Sequence, residues 1–151
     1  MNKCGIEELI KKTLRRVGIS AVAFKEDGEA SLTFTGSGVK PIYDFVSKNL
    51  GQLDKFYGLY WGDKVLGKAS AFLILLLRPK YVFGGLMSED AVKILEKNNI
   101  PYAFGERAQY IMNTKKDGMC PFEKSVLDVE DSETALKRIS EVLESFRNKS
   151  P

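Results

Sequence analysis

Three clusters in this 151-residue chain hold residue types that can do chemistry. The first is Gly36-Ser37-Gly38-Val39-Lys40-Pro41, two glycines and a lysine where a strand should give way to a helix. Unbonded backbone amides and the positive end of the helix dipole attract anions at such a turn. The competing reading is a tight turn with Lys40 simply in water. Gly-x-Gly does not decide between them, and no Gly-Lys-Ser/Thr ending makes it a Walker A loop.

The second cluster runs from Asp63 to Lys68. Asp63 reads as the N-cap of a helix, with Lys64 and Lys68 one turn apart on a shared face. That face continues into Ala71 and Leu75, so Lys68 stands at the edge of a buried environment. An ammonium there must pair, reach water or give up its proton. Gly67 and Ser70 leave room for a ligand or another backbone to approach. The third cluster is Met119-Cys120-Pro121-Phe122-Glu123-Lys124. A cysteine just before a helix-opening proline gains thiolate character from the dipole, and buried inertness is the alternative. Glu123 either caps the turn or accepts a proton.

Other chemistries are closed by composition. The chain has no histidine, so Ser-His and Cys-His pairs and imidazole metal sites are excluded. Its two cysteines, Cys4 and Cys120, lie far apart, with no Cys-x-x-Cys pair for zinc or redox exchange. Reduced thiols in a cytoplasmic protein with no cofactor is the expectation. Lys and Arg exceed Asp and Glu by 23 to 20, a net charge of +3 that does not argue for nucleic acid or a membrane surface. The longest apolar run, 71–77, is far too short to span a bilayer. Glu7, Glu8, Lys11 and Lys12 interrupt the apolar stretch that a signal peptide would need.

The elements that must position these clusters follow from periodicity. Ile6, Leu9, Ile10, Leu14 and Val17 predict an amphipathic helix over 5–17, its basic residues on the solvated face. Strands over 21–25 and 31–35 flank an Asp27-Gly28 turn, and Pro41 opens a helix over 41–50. A buried strand over 56–61 and a central helix over 64–78 follow, the latter ended by Pro79. The segment 81–87 is a strand whose paired glycines suggest a bulge or a close approach. Ser88 caps the next helix, and 102–104 is a short strand. A helical turn is expected over 107–112, then a helix from Cys120-Pro121 to Leu127. The helix over 132–147 carries a narrow seam of Ala135, Leu136, Ile139, Val142, Leu143 and Phe146 that must pack on something. This order makes an α/β, three-layer α/β/α fold with a mixed sheet, one domain over 1–151. Ligands then bind at the carboxyl ends of strands, which singles out 36–41 and 61–68.

Gly-Val-Lys-Pro at 38–41, Asp-Lys-Val-Leu-Gly-Lys-Ala at 63–69 and Gly-Met-Cys-Pro-Phe-Glu-Lys at 118–124 together resemble a small prokaryotic family of unknown function. That family's fold is similar to cytidine deaminase, and the resemblance, over residues 18–130, implies a five-stranded mixed sheet between helices. Working deaminases carry His/Cys-Ala-Glu at one helix start, where this chain has Val39-Lys40-Pro41-Ile42. They carry Pro-Cys-x-x-Cys at the next, which falls on Gly62-Asp63-Lys64-Val65. Neither the metal ligands nor the proton-handling glutamate is present. The resemblance therefore implies where a pocket lies and not which reaction it runs.

Three functions remain open at this stage. One is a metal-free, deaminase-like protein binding a small anionic, nucleotide-like ligand through Gly36, Gly38, Lys40, Asp63, Lys64, Gly67 and Lys68. Another is an enzyme using Cys120 as nucleophile or group carrier, with Lys68 or Glu123 as proton partner. The third is a homo-oligomeric scaffold joined through the 132–147 seam.

Overall fold

Asn2 starts the first helix, α1 (Lys3–Leu14), by accepting the Gly5 N–H on its side chain. The computed structural model describes residues 2–149. Ile6, Ile10 and Leu14 are buried along α1, but the stripe ends there. The helix stops at Arg15, and Gly18 turns the chain with a φ of 84° into the first strand. Val17, expected to face inward, is fully exposed as a result.

Strands β1 (Ile19–Phe24) and β2 (Ala30–Thr35) form the expected hairpin. Asp27 accepts the Glu29 N–H, and Gly28 takes a φ of 90° at the tip. Helix α2 (Lys40–Lys48) carries Pro41 in its first turn, and a 3-10 segment over Leu50–Phe56 leads to β3 (Tyr60–Leu66). Then come α3 (Lys68–Leu75), β4 (Tyr81–Ser88), α4 (Glu89–Lys97) and β5 (Tyr102–Ala108). Ser88 caps α4 by accepting the Ala91 N–H at 3.1 Å, as its position implied. The short α5 (Pro121–Ser125) and the long α6 (Ser132–Lys149) complete the order.

The five strands form one mixed sheet in the order β2-β1-β3-β4-β5. β1 runs antiparallel to both β2 and β3, whereas β3, β4 and β5 are parallel. One face packs on α1, where Ile6, Ile10 and Leu14 meet Val22, Phe24, Tyr81 and Phe83. The opposite face holds the larger core, in which α2, α3 and α4 cover Trp61, Leu66, Val82 and Met87. α6 lies outside α3 and buries Ala135 and Ile139 against it. The apolar seam of the last helix is thus used within the chain.

Several expected boundaries differ from the structure: the helix expected over 64–78 is confined to Lys68–Leu75, the strand expected over 102–104 extends to Ala108, and strand ladders account for the changes around β3 and β5. The strand expected over 56–61 begins at Tyr60 and runs through Asp63 and Lys64 to Leu66. Residues 60–63 pair with β1 on one side and β4 on the other, and the β4 pairing alone continues to Leu66, which holds the segment extended. Asp63 is therefore not a helix cap, and Lys64 and Lys68 do not share a helical face. The helical turn expected over 107–112 is also absent, since β5 follows β4 as far as the Ser88–Ala108 pair. α5 ends at Ser125, short of Leu127.

Gly62 is where α1 crosses β3. A Cβ there would lie 2.2 Å from Ile10 Cγ2, which leaves no space for even a methyl group. Gly62→Ala should displace α1 and destabilise the protein by about 1–3 kcal/mol, the usual cost of overpacking. Urea unfolding of the two proteins measures it, and an unchanged midpoint contradicts this packing.

Candidate functional site

The ends of β2 and β3 and the start of β1 lie along one edge of the sheet and enclose a cavity of about 210 Å³. Gly18 lines it from the turn before β1, Ile19 and Ser20 from β1, Gly36, Ser37 and Gly38 from the turn after β2, and Asp63, Lys64 and Val65 from β3. Gly36 and Gly38 have φ of 104° and 70°, a left-handed backbone that side-chain-bearing residues rarely adopt. Among the described residues no acceptor receives the amide N–H of Ser37, Gly38 or Val39. α2 likewise begins without a side-chain cap. The positive end of its dipole is therefore open beside the cavity.

Asp63 is the unusual member. Strand alternation turns it to the same face as Trp61, into the larger core, and leaves it 4% exposed. Its Oδ1 accepts the Val65 N–H at 3.2 Å, and its Oδ2 has no partner. Burial pushes Asp63 up to about 8, and the Val65 hydrogen bond only partly opposes this. Trp61 Nε1 is the only other buried side-chain polar atom left unpartnered among the described residues. Lys64 faces the α1 side and donates from Nζ to Arg16 O at 3.1 Å.

The remaining sequence-derived residues separate from this cavity. Lys40 ion-pairs with Asp44 at 2.6 Å and borders a different groove, with Leu143 and Arg147. Lys68 donates to Leu127 O at 2.9 Å and lies near Phe72. Gly67, Lys68 and Glu123 do come together, at the start of α3. There the Glu123 carboxylate accepts the amides of Lys68 at 2.7 Å and Ala69 at 2.9 Å. Glu123 therefore caps not its own turn but a helix more than fifty residues earlier in the chain. Burial raises its carboxyl above the usual range, with the two amides opposing. Gly67 is what allows this approach, because a Cβ would sit 2.1 Å from Glu123 Oε1. Cys120 precedes α5 and its free thiol is half-buried. Among the described residues no group of three or more Cys, Asp or Glu side chains is placed to hold a metal ion. The signal sequence reasoning missed was Asp63 two positions after Trp61, a polar residue on the apolar side of a strand.

Chemically, the cavity joins open amides and a lysine rim to one solitary carboxyl group. The α3 start, in contrast, is already occupied by the chain's own carboxylate. Removing that carboxylate strands two buried N–H donors. Glu123→Ala should cost about 1–3 kcal/mol. Gly67→Ala should cost a similar amount, and the double variant far less than the sum, because both break the same contact. Additive losses in denaturant unfolding contradict this linkage.

Asp63 also sets a pH dependence. Its folded pKa lies above the unfolded value of 3.8, so the native state binds the extra proton between about pH 4 and 8. Its contribution is fully present at low pH, and stability should decline by up to ~1.4 kcal/mol per pH unit across that window. Glu123 acts with the same sign. Asp63→Asn should flatten the decline above pH 5, read from unfolding midpoints at pH 5 and 8.

Comparison with known proteins agrees with this architecture. A crystal structure of a DUF1893 family protein (TM1506) from Thermotoga maritima is similar to this chain, with a TM-score of 0.79 and 25% sequence identity. The match covers 96% of this chain and 92% of that one. No curated protein matches. No helix among the described residues is long and apolar enough to cross a membrane. Residues 9–143 match the family described as a domain of unknown function, DUF1893, and the chain belongs to that family.

Proposed function

We propose that this protein uses a cytidine-deaminase-like architecture, without the metal-ligating side chains, to bind a small anionic, nucleotide-like molecule. The binding site is the cavity at the ends of β2 and β3. The observation that carries this reading is a nine-tenths-buried carboxyl oxygen with no partner beside an uncapped helix start. A folded protein rarely leaves a buried polar atom unsatisfied unless something else satisfies it. The open amides of Ser37, Gly38 and Val39, with the α2 dipole, supply the complementary seat for an anionic group. Lys64 adds positive charge at the rim. The five-stranded mixed sheet with helices on both faces supports the deaminase-like architecture.

Of the residues singled out in the sequence, this reading uses Gly36, Gly38, Asp63 and Lys64. Lys40, Gly67 and Lys68 do not line the cavity, the lysines meeting Asp44 and Leu127 and the glycine meeting Glu123. Two alternatives draw less support. A nucleophilic Cys120 would need Glu123 or Lys68 as proton partner, and both already serve α3 or the chain beside it. A scaffold role would need the α6 seam, which faces α3.

Isothermal titration with cytidine monophosphate, adenosine monophosphate and inorganic phosphate tests the proposal. At least one should bind, and a ligand at one hundred times its Kd adds about 2.7 kcal/mol to stability. Lys64→Ala should weaken binding roughly fivefold, as expected for a rim charge worth about 1 kcal/mol. Lys40→Ala should leave it unchanged. Absence of heat and of thermal stabilisation with all three compounds refutes the proposal.

A further inference from the structure

The ligand-binding reading leaves open what Asp63 does for an anionic guest, since a carboxylate beside open amides would repel the anion they attract. The answer lies in what surrounds the group. β1 contributes Ser20, whose hydroxyl donates to Phe34 O, and uncharged Ala21. β4 contributes Gly84 opposite Asp63. The turn after β2 presents glycine and serine backbone, and the nearest cation on α2, Lys40, turns to Asp44. On α3, Lys68 turns to Leu127, and from α5 the Glu123 carboxylate is taken by α3 amides. Lys64, next along the strand, sends its ammonium to Arg16 O. Among the described residues, then, no ammonium or guanidinium forms an ion pair with Asp63. A single backbone N–H is poor compensation for a buried negative charge, so the neutral acid is the form this site holds.

We propose that Asp63 recognises the ligand as a carboxylic acid, donating from Oδ2 to an acceptor atom while Oδ1 stays fixed by the Val65 N–H. This rests on the ligand-binding reading above and specifies the chemistry of the guest. The atom set against Oδ2 is an acceptor, such as a phosphate or carbonyl oxygen or an unprotonated ring nitrogen. Ammonium and guanidinium groups are rejected at that position, having only donors to offer. In its neutral form the side chain adds a hydrogen bond without opposing the anion. Ionised, it loses the donor and adds repulsion at once. Ligand affinity and the Asp63 proton are thereby linked. Burial pushing Asp63 up to about 8 agrees with this.

Asn is the discriminating substitution, because its amide oxygen can take the Val65 N–H while its NH2 still donates from the Oδ2 position. Titrations of wild type and Asp63→Asn with cytidine monophosphate from pH 6 to 9.5 cancel the nucleotide's own protonation when compared. The wild type should lose affinity by up to about tenfold per pH unit above pH 8 relative to the variant. The variant should bind at pH 6 within roughly threefold of wild type, the cost of exchanging one neutral donor for another. Loss of binding in Asp63→Asn at pH 6, or parallel pH profiles for the two proteins, overturns this inference alone. Absence of binding by both proteins at every pH, with phosphate and adenosine monophosphate also silent, overturns the ligand reading and this inference with it. A second measurement on the wild type guards against a misfolded variant. The Asp63 carboxyl carbon, followed by NMR, should remain protonated at pH 7, and an ionised signal there overturns the inference.

Discussion

β3 is hydrogen-bonded on both sides over 60–63, antiparallel to β1 and parallel to β4, its β4 ladder continues to Leu66, and this pairing governs the rest of the molecule. A strand held on both sides cannot twist its residues into helix, whatever their propensities. It must also alternate its side chains between two faces. Trp61 and Asp63 therefore point into the larger core and Gly62 and Lys64 toward α1. Gly62 lets α1 settle against the sheet. Asp63 becomes a buried carboxyl group in the middle of a strand rather than an exposed helix cap. The same alternation places the lysine and the acid, adjacent in sequence, in different environments at the lip of one cavity.

Two buried acids show how the fold sorts structural charge from the rest. Glu123 meets two amides at the start of α3, at 2.7 and 2.9 Å, and in doing so ties the C-terminal helices to the central layer. Those amides are donors that every helix start must satisfy, so the carboxylate answers a need of the backbone. Asp63 has one amide and an unpartnered oxygen. Burial raises both groups, but only Glu123 has its demand met inside the chain. The start of α2, in contrast, has no side-chain cap, and the turn that leads into it lines the cavity with Asp63. The satisfied acid thus belongs to the architecture, and the unsatisfied one lines the cavity.

Much of this was legible in the residues. Asp27-Gly28, Pro41 and Ser88 act locally, and each fixed its hairpin tip, helix start or cap as expected. The glycines at 84 and 85 pointed to a bulge or a close approach, and it is the approach that is found: a Cβ on Gly85 would lie 2.7 Å from Lys64 O. The rule that ligands gather at the carboxyl ends of strands led to Gly36, Gly38, Asp63 and Lys64 together. Lys40 was grouped with them for its place at the strand-to-helix turn, and Lys68 for a helical face shared with Lys64 that the strand over 60–66 removes. Asp44 one helical turn away and Leu127 across the fold decide where the two ammonium groups go.

The sequence by itself determined the order of elements, the turns and caps, the absence of imidazole chemistry and the edge of the sheet where a pocket would form. These depend on contacts within a few residues, or on which side chains exist at all. Tertiary structure alone decided that 63–66 is strand, that Glu123 caps a distant helix and that Asp63 is buried without a counter-ion. Each of those depends on partners from remote parts of the chain, whose pairing and desolvation exist only once the sheet has closed around β3.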